Sequence, residues 1–196
     1  MPTNSRTNLE VEIKLRLSNG VAAAHETLSK AGFRVIKPRT FESNILFDTP
    51  AETLRKRRQL IRIRRVGPLS VLTYKGAGKA GKHKSREELE TLVADPGNLE
   101  TILLRLGYAP AFRYEKFRTE YRRARESGIV TIDETPAGNF LEIEGAPRWI
   151  DRTARQLGFA ERQYITQSYG SLYQAYREAH PRAPKDMIFA AKRKTS

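Results

Sequence analysis

At 196 residues, with no cysteine and three histidines, the chain is long enough to bury one good core and excludes disulfides, thiolate zinc sites and a histidine-paired metal centre. Its 39% hydrophobic content is modest, and 36 basic against 22 acidic residues give a formal net charge of +14 that points to an anionic partner. No apolar run approaches the roughly 20 residues that cross a bilayer, and residues 1–7 lack a signal-peptide core, so a soluble, cytoplasmic protein with no membrane partner is expected.

Residues 1–7 read as a flexible N-terminus, and 8–180 as one domain without an internal linker or repeat. The run Leu9-Glu10-Val11-Glu12-Ile13-Lys14-Leu15-Arg16-Leu17 alternates strictly, placing Glu10, Glu12, Lys14 and Arg16 on one face of a strand and aliphatic side chains on the other. Val21, Ala24, Leu28 and Ala31 then fall on one helical face before Gly32. Ile61-Arg62-Ile63-Arg64 and Leu72-Thr73-Tyr74-Lys75 resume the alternation. The stretch from Gly76 to Lys84, rich in glycine and lysine, lacks Walker spacing and is expected to be a mobile loop, either a solvated hairpin or a phosphate-attracting lid.

Beyond that loop, Lys82, Lys84, Arg86, Glu88 and Glu90 share a parity. A second helical stripe, Leu99, Ile102, Leu103 and Leu106, stops at Gly107. Lys116, Arg118, Glu120 and Arg122 share a face between Tyr114 and Arg123; Asp133 follows Val130-Thr131-Ile132; and Phe140-Leu141-Glu142-Ile143-Glu144 sets two carboxylates around one isoleucine. Pro147 opens a third helix with Ile150, Ala154 and Leu157 inward and Gly158 as its stop, and Tyr169, Leu172, Tyr173 and Tyr176 mark a fourth. Residues 181–196 read as a basic, flexible tail.

Several strands therefore segregate charges of both signs from aliphatic residues. Two architectures satisfy this: sheets with wet charged faces over a shared core, or a sheet closed on itself whose charged faces line an interior while helices cover the apolar outside. Buried charges are costly, so such a lumen has to stay hydrated, pair its charges, or hold a charged ligand with metal ions. Carboxylates alternating with arginines repel a bare phosphate backbone. That pattern argues against nucleic acid and for a metal-bound phosphate ligand.

In chain order, Glu10-Val11-Glu12-Ile13-Lys14, Asn44 to Pro50, Leu60 to Arg64, Thr73-Tyr74-Lys75, Glu115 to Arg118, Ile132-Asp133, Phe140 to Glu144 and Ser168-Tyr169 resemble the signatures of the CYTH superfamily, the triphosphate tunnel metalloenzymes. The likeness covers roughly residues 8 to 173, and the segment from Leu106 through Arg118 is most similar to the class IV adenylate cyclase branch. It implies a mainly β fold with flanking helices (α+β): a closed, eight-stranded, mostly antiparallel barrel around a triphosphate-binding tunnel.

On the residues themselves, Lys14, Arg62, Arg64, Lys75, Lys116 and Arg118 suit phosphate oxygens, the arginines by bidentate contact and the lysines as point charges. Glu10, Glu12, Asp133, Glu142 and Glu144 offer hard oxygen ligands for Mg²⁺ or Mn²⁺. Glu12, Lys14, Lys75 and Lys116 are the candidate catalytic set, with Glu12 a possible general base. The expected activity is cyclisation of ATP to cyclic AMP and pyrophosphate; hydrolysis of thiamine triphosphate, a nucleoside triphosphate or inorganic tripolyphosphate is the alternative. A barrel that only binds polyphosphate or RNA is a third reading. A homodimer is expected if Trp149 or Tyr173 lies exposed.

Overall fold

In the computed structural model, which describes residues 9–79 and 81–190, the alternating segments form β1 (Leu9–Arg16), β2 (Arg34–Asp48), β3 (Leu60–Val66), β4 (Leu69–Lys75), β5 (Lys84–Leu92), β6 (Ala109–Arg122), β7 (Ile129–Thr135) and β8 (Gly138–Glu144). They close into one barrel in the order β1-β5-β4-β3-β2-β6-β7-β8 with every neighbouring pair antiparallel. The seam lies at β1, where Glu12 stands opposite Lys84 of β5 on one side and Glu144 of β8 on the other. Closure removes the sheet edges that an open charged sheet would leave exposed.

The helices lie outside, as the stripes require. α1 (Gly20–Lys30) and α4 (Pro147–Gln156) bring Ala24, Leu28, Trp149, Ile150 and Ala154 against Ile13, Leu15, Val130, Ile132, Leu141 and Ile143, the outward residues of β1, β7 and β8. α3 (Pro96–Arg105), capped by Asp95 accepting from the Asn98 amide, sets Leu103 on Phe47 and Ile63. Gly32, Gly107 and Gly158 each sit at φ of 86–87° just past a helix, a left-handed position where a side chain would be strained. Trp149 and Tyr173 are buried inside the fold, which removes the motive for the expected homodimer.

β2 is longer than the Asn44–Pro50 signature, because its first half pairs with β6 through irregular register between Val35 and Thr40. A single-turn helix absent from the sequence reading, α2 (Thr53–Lys56), joins β2 to β3. It is clamped by buried Asp48, whose carboxylate accepts the backbone N–H groups of Thr49, Leu54 and Arg55 at 2.7–2.9 Å.

Two segments expected to be mobile make packed contacts. Residues 181–190 do not form a free tail: Met187 is fully buried and pairs with the backbone of Arg113 and Glu115 along the stretch of β6 that β7 leaves uncovered, and Phe189 packs on Phe117. The open hydrogen-bonding edge of β6 supplies the reason. Residues 191–196 of the expected tail, and residues 1–7, lie outside the described residues. The glycine-rich loop is likewise tethered: Lys79 N–H donates to Ser85, His83 Nε2 meets Asp151 of α4 at 2.8 Å, and Lys82 bridges Asp151 and Glu161.

Candidate active site: a charged barrel lumen

The inward face of the barrel encloses a cavity of about 280 Å³. At one end stand Ser168, Tyr169 and Gly170, the first turn of α5 (Tyr169–Ala179); at the other, Lys37, Glu120, Ile129 and Glu144. Of the residues singled out from sequence, Glu10, Glu12, Lys14, Arg62, Arg64, Lys75, Lys116, Arg118, Glu142 and Glu144 all line it. Their convergence follows from the period of two: β1, β3, β4, β6 and β8 each turn their charged parity inward because aliphatic parity is claimed by the helices.

Asp133 is placed differently. It is completely buried behind the lining, and its two oxygens receive Lys116 Nζ at 2.8 Å, Arg118 Nε at 2.7 Å and Nη2 at 2.6 Å, and the Tyr169 hydroxyl at 2.7 Å. Burial alone would raise its pKa, yet the cations of Arg118 and Lys116 hold it down at about 2. Asp133 thus fixes the direction of two phosphate-binding candidates. Burial, the negative charges of Asp133 and Glu142 and the hydrogen bond to Asp133 hold the Tyr169 phenol well above its ordinary range, against the opposing charge of Arg118.

The remaining carboxylates are also paired. Glu12 accepts from Lys14 and Lys84 at 2.9 Å each, and its pKa is lowered by those lysines against the opposing effect of burial. Lys14 also reaches Glu142 at 3.1 Å, and Arg118 bonds Glu142 from the other side. Glu10 takes Lys75 at 2.7 Å and Arg86 at 3.1 Å. Along the lumen wall, cations and carboxylates alternate in space as they do in sequence. With Glu42 and Asp133 counted behind the lining, the carboxylates, Glu144 among them, equal the cations in number.

Glu144 breaks this pairing. Among the described residues no basic side chain lies within ion-pair distance of it, and loss of water together with the charges of Glu10, Glu12, Glu88 and Glu142 pushes its pKa up to about 7. A carboxylate left without a cation amid other carboxylates is what a site for a divalent ion requires, so the donor chemistry of Glu10, Glu12, Glu142 and Glu144 fits Mg²⁺ or Mn²⁺. Among the described residues no three acidic or histidine side chains are already gathered at ligand spacing; lysines and arginines hold the carboxylates instead.

Several lumen residues escaped the sequence reading. Tyr114 bonds Arg62 Nη1 at 3.0 Å, Thr73 receives Arg62 Nη2 at 3.1 Å, and Glu90 accepts from Arg62 and Arg64. Glu42, with its pKa lowered to about 2 by Lys116, Arg118, Arg64 and Arg62 despite burial, stands behind Lys116. Lys84, Arg86, Glu88 and Glu90 carried the right parity on β5, and that was the signal available for them. Burial and the neighbouring Lys14 bring the Lys84 amine down to about 8.

The CYTH domain model matches residues 8–169. The chain belongs to the CYTH domain family. A curated relative, a candidate adenylate cyclase of Methanocaldococcus jannaschii, is 31% identical over 137 residues, covering 69% of this chain and 76% of the relative. The solved structure of a candidate adenylate cyclase from Vibrio parahaemolyticus superposes with a TM-score of 0.73 at 21% identity over 85% of this chain and 98% of its own. A Hippeastrum barrel, described as a candidate adenylyl cyclase with a dominant triphosphatase activity, matches with a TM-score of 0.61 at 22% identity, covering 85% of this chain and 95% of its own. The closed antiparallel CYTH barrel, its outer helices and its buried charged lumen accord with the architecture the resemblance implied. No helix among the described residues is long and apolar enough to cross a membrane.

Proposed function

We propose that this CYTH barrel is a divalent-metal-dependent enzyme that processes a triphosphate, with conversion of ATP to cyclic AMP and pyrophosphate as its leading reaction. The observation carrying the triphosphate reading is the polarised lumen: Arg62, Arg64, Lys75, Lys116 and Arg118 line a single cavity whose carboxylates are neutralised in pairs except at Glu144. A triphosphate bound along the lumen would compete with the carboxylates for those cations, and the carboxylates so released would be free to hold a divalent ion. When bound, Mg²⁺ or Mn²⁺ supplies charge neutralisation to the phosphate oxygens and to the leaving group. Glu10, Glu12, Glu142 and Glu144 are the residues to hold it; Asp133 is spent on Lys116 and Arg118.

The chain's own residues then do three things. The arginines and lysines fix the phosphate chain along the lumen, so that attack and departure can lie in line. Lys14, held between Glu12 and Glu142, sets the spacing of the two carboxylates. Glu12, kept ionised by its lysines, accepts a hydrogen bond from the attacking hydroxyl or water at a carboxylate oxygen.

Cyclisation leads because of the Methanocaldococcus relative and the cyclase-like segment from Leu106 through Arg118. A specific observation favours hydrolysis as the second reading. Among the described lining residues the aromatic rings are Tyr114 and Tyr169, and both are buried and packed on one another and on Phe112 and Phe140, so no ring stands free to stack an adenine. The Hippeastrum barrel's dominant triphosphatase activity belongs to a protein of the same fold. The test incubates the purified protein with ATP, thiamine triphosphate or tripolyphosphate and Mg²⁺ or Mn²⁺ and separates the products. Cyclic AMP with pyrophosphate supports the cyclase; orthophosphate alone supports the hydrolase; no turnover of any substrate sinks both.

A further inference from the structure

The lumen is close to electroneutral by itself, because its cations are matched by carboxylates, whereas the whole chain carries a formal +14. The surplus positive charge therefore lies outside the tunnel, where the alternation of acids with bases that argued against nucleic acid does not apply. The densest run of it in the sequence is Arg55-Lys56-Arg57-Arg58, at the β2–β3 turn.

All four side chains are exposed. Arg55 is partnered by Glu52 and Gln174, but among the described residues Lys56, Arg57 and Arg58 meet no carboxylate. The turn is rigid, held from below by the Asp48 carboxylate on three backbone amides, by Thr49 and Thr53 bonding each other, and by Leu54 buried beneath it. Arg58 sits at φ 57°, a left-handed conformation that costs a non-glycine residue strain. The fold thus carries an exposed arginine in a strained position that glycine would occupy freely; its N–H bonds the Arg55 carbonyl at 2.9 Å, as glycine's would, and among the described residues its side chain makes no hydrogen bond or ion pair.

We infer that this turn, Arg55-Lys56-Arg57-Arg58, is a docking surface for the phosphodiester backbone of a nucleic acid. Arginine predominates, and its planar fork binds phosphate bidentately. The nearest apolar side chain in the turn, Leu54, is buried, so nothing projects to wedge between bases or enter a bilayer; the contact is to backbone alone and independent of sequence. The surface lies at the barrel end where β2 gives way to β3, opposite the end that carries Glu144, and none of its four residues lines the lumen cavity, so it does not rest on the catalytic reading.

The experiment measures fluorescence anisotropy of a labelled mixed-sequence duplex of about 20 base pairs with the full-length protein, across a salt series. Three proteins are compared: wild type, Arg58→Gly, and the triple variant Lys56→Ser/Arg57→Ser/Arg58→Gly. Arg58→Gly is expected to raise the melting temperature while weakening binding severalfold. In the triple variant the slope of log affinity against log salt should become shallower by about 1 for each cation removed, with triphosphate turnover unchanged. Unchanged affinity and slope in the triple variant would overturn the proposal. So would loss of duplex binding in Arg62→Ala with none in the triple variant, which would place the anion in the lumen, or capture by phosphatidylserine vesicles in place of the duplex, which would make the partner a membrane.

Discussion

Asp133→Asn replaces the most deeply enclosed carboxylate of the lumen wall by a neutral group of the same shape. The Tyr169 hydroxyl keeps an acceptor, but Lys116 and Arg118 lose their counter-charge at 2.6–2.8 Å in a site without water access. A pKa held at about 2 instead of 3.8 corresponds to about 2 kcal/mol of folding stability. Removing one member of a buried ion pair costs about 3–5 kcal/mol, so a loss of about 3 kcal/mol is expected at neutral pH. The sign in pH is fixed by the depression: the carboxylate's contribution is complete above about pH 4 and disappears as pH falls through 4 toward 2, so the gap between variant and wild type should close over that window. Urea unfolding followed by circular dichroism measures it. Metal-free tripolyphosphate should restore more stability to the variant than it adds to wild type, because it meets two cations left with one carboxylate each, Lys116 with Glu42 and Arg118 with Glu142. A variant as stable as wild type at neutral pH would refute the assignment of Asp133 as the anchor of Lys116 and Arg118.

Glu144→Gln should leave stability at pH 5 nearly unchanged and raise it by about 1 kcal/mol at pH 8 without metal, after allowance for the water Glu144 retains; a carboxylate with its pKa raised to about 7 costs the fold progressively as pH climbs from its ordinary 4.5. The same variant, and Glu142→Ala, should lose metal-dependent turnover, and full activity in both would mean the carboxylates are misassigned. Arg62→Ala should weaken binding of a non-hydrolysable triphosphate analogue roughly tenfold to a hundredfold in calorimetry, since a charge-assisted contact is worth about 1.5–3 kcal/mol; an unaltered dissociation constant removes Arg62 from the phosphate set. Ile63→Asp puts an unpaired carboxylate between Phe47 and Leu103 on the outer wall, at a cost of about 5 kcal/mol or more, and should abolish the cooperative melt.

Much of the barrel was legible because β-strands report their two faces in sequence. Glu10, Glu12 and Lys14 against Val11, Ile13 and Leu15 already distinguished lumen from wall, and the helix stops at Gly32, Gly107 and Gly158 fell where the apolar stripes ended. Parity does not say which strand a charge faces across the lumen. Hence the sequence places Asp133 among the candidate metal ligands by its type, while its position behind Lys116 and Arg118, which depends on β6–β7 pairing and on Tyr169 arriving from α5, was not legible there. Tyr114 and Thr73 were invisible for a related reason: an uncharged inward residue looks like any strand residue until Arg62 reaches it. The packing of Met187 is a tertiary effect, created by the uncovered edge of β6, and no local pattern in His180 to Pro184 announces it.

The seam at β1 also orders the folding of the chain. Every partner of β1 is encoded later: Lys84 to Glu87 of β5, Phe140 to Glu144 of β8, and Ile165, whose backbone exchanges two hydrogen bonds with Lys14 beside the end of β5. The first strand made must wait for nearly the last, which makes barrel closure a step of high contact order and slow by its topology. While it waits, Glu10, Glu12 and Lys14 lack their cross-lumen partners and stay hydrated. The charges that later face the lumen thereby keep the unfinished sheet in solution during synthesis, acting as gatekeepers against edge-to-edge aggregation before they have anything to bind.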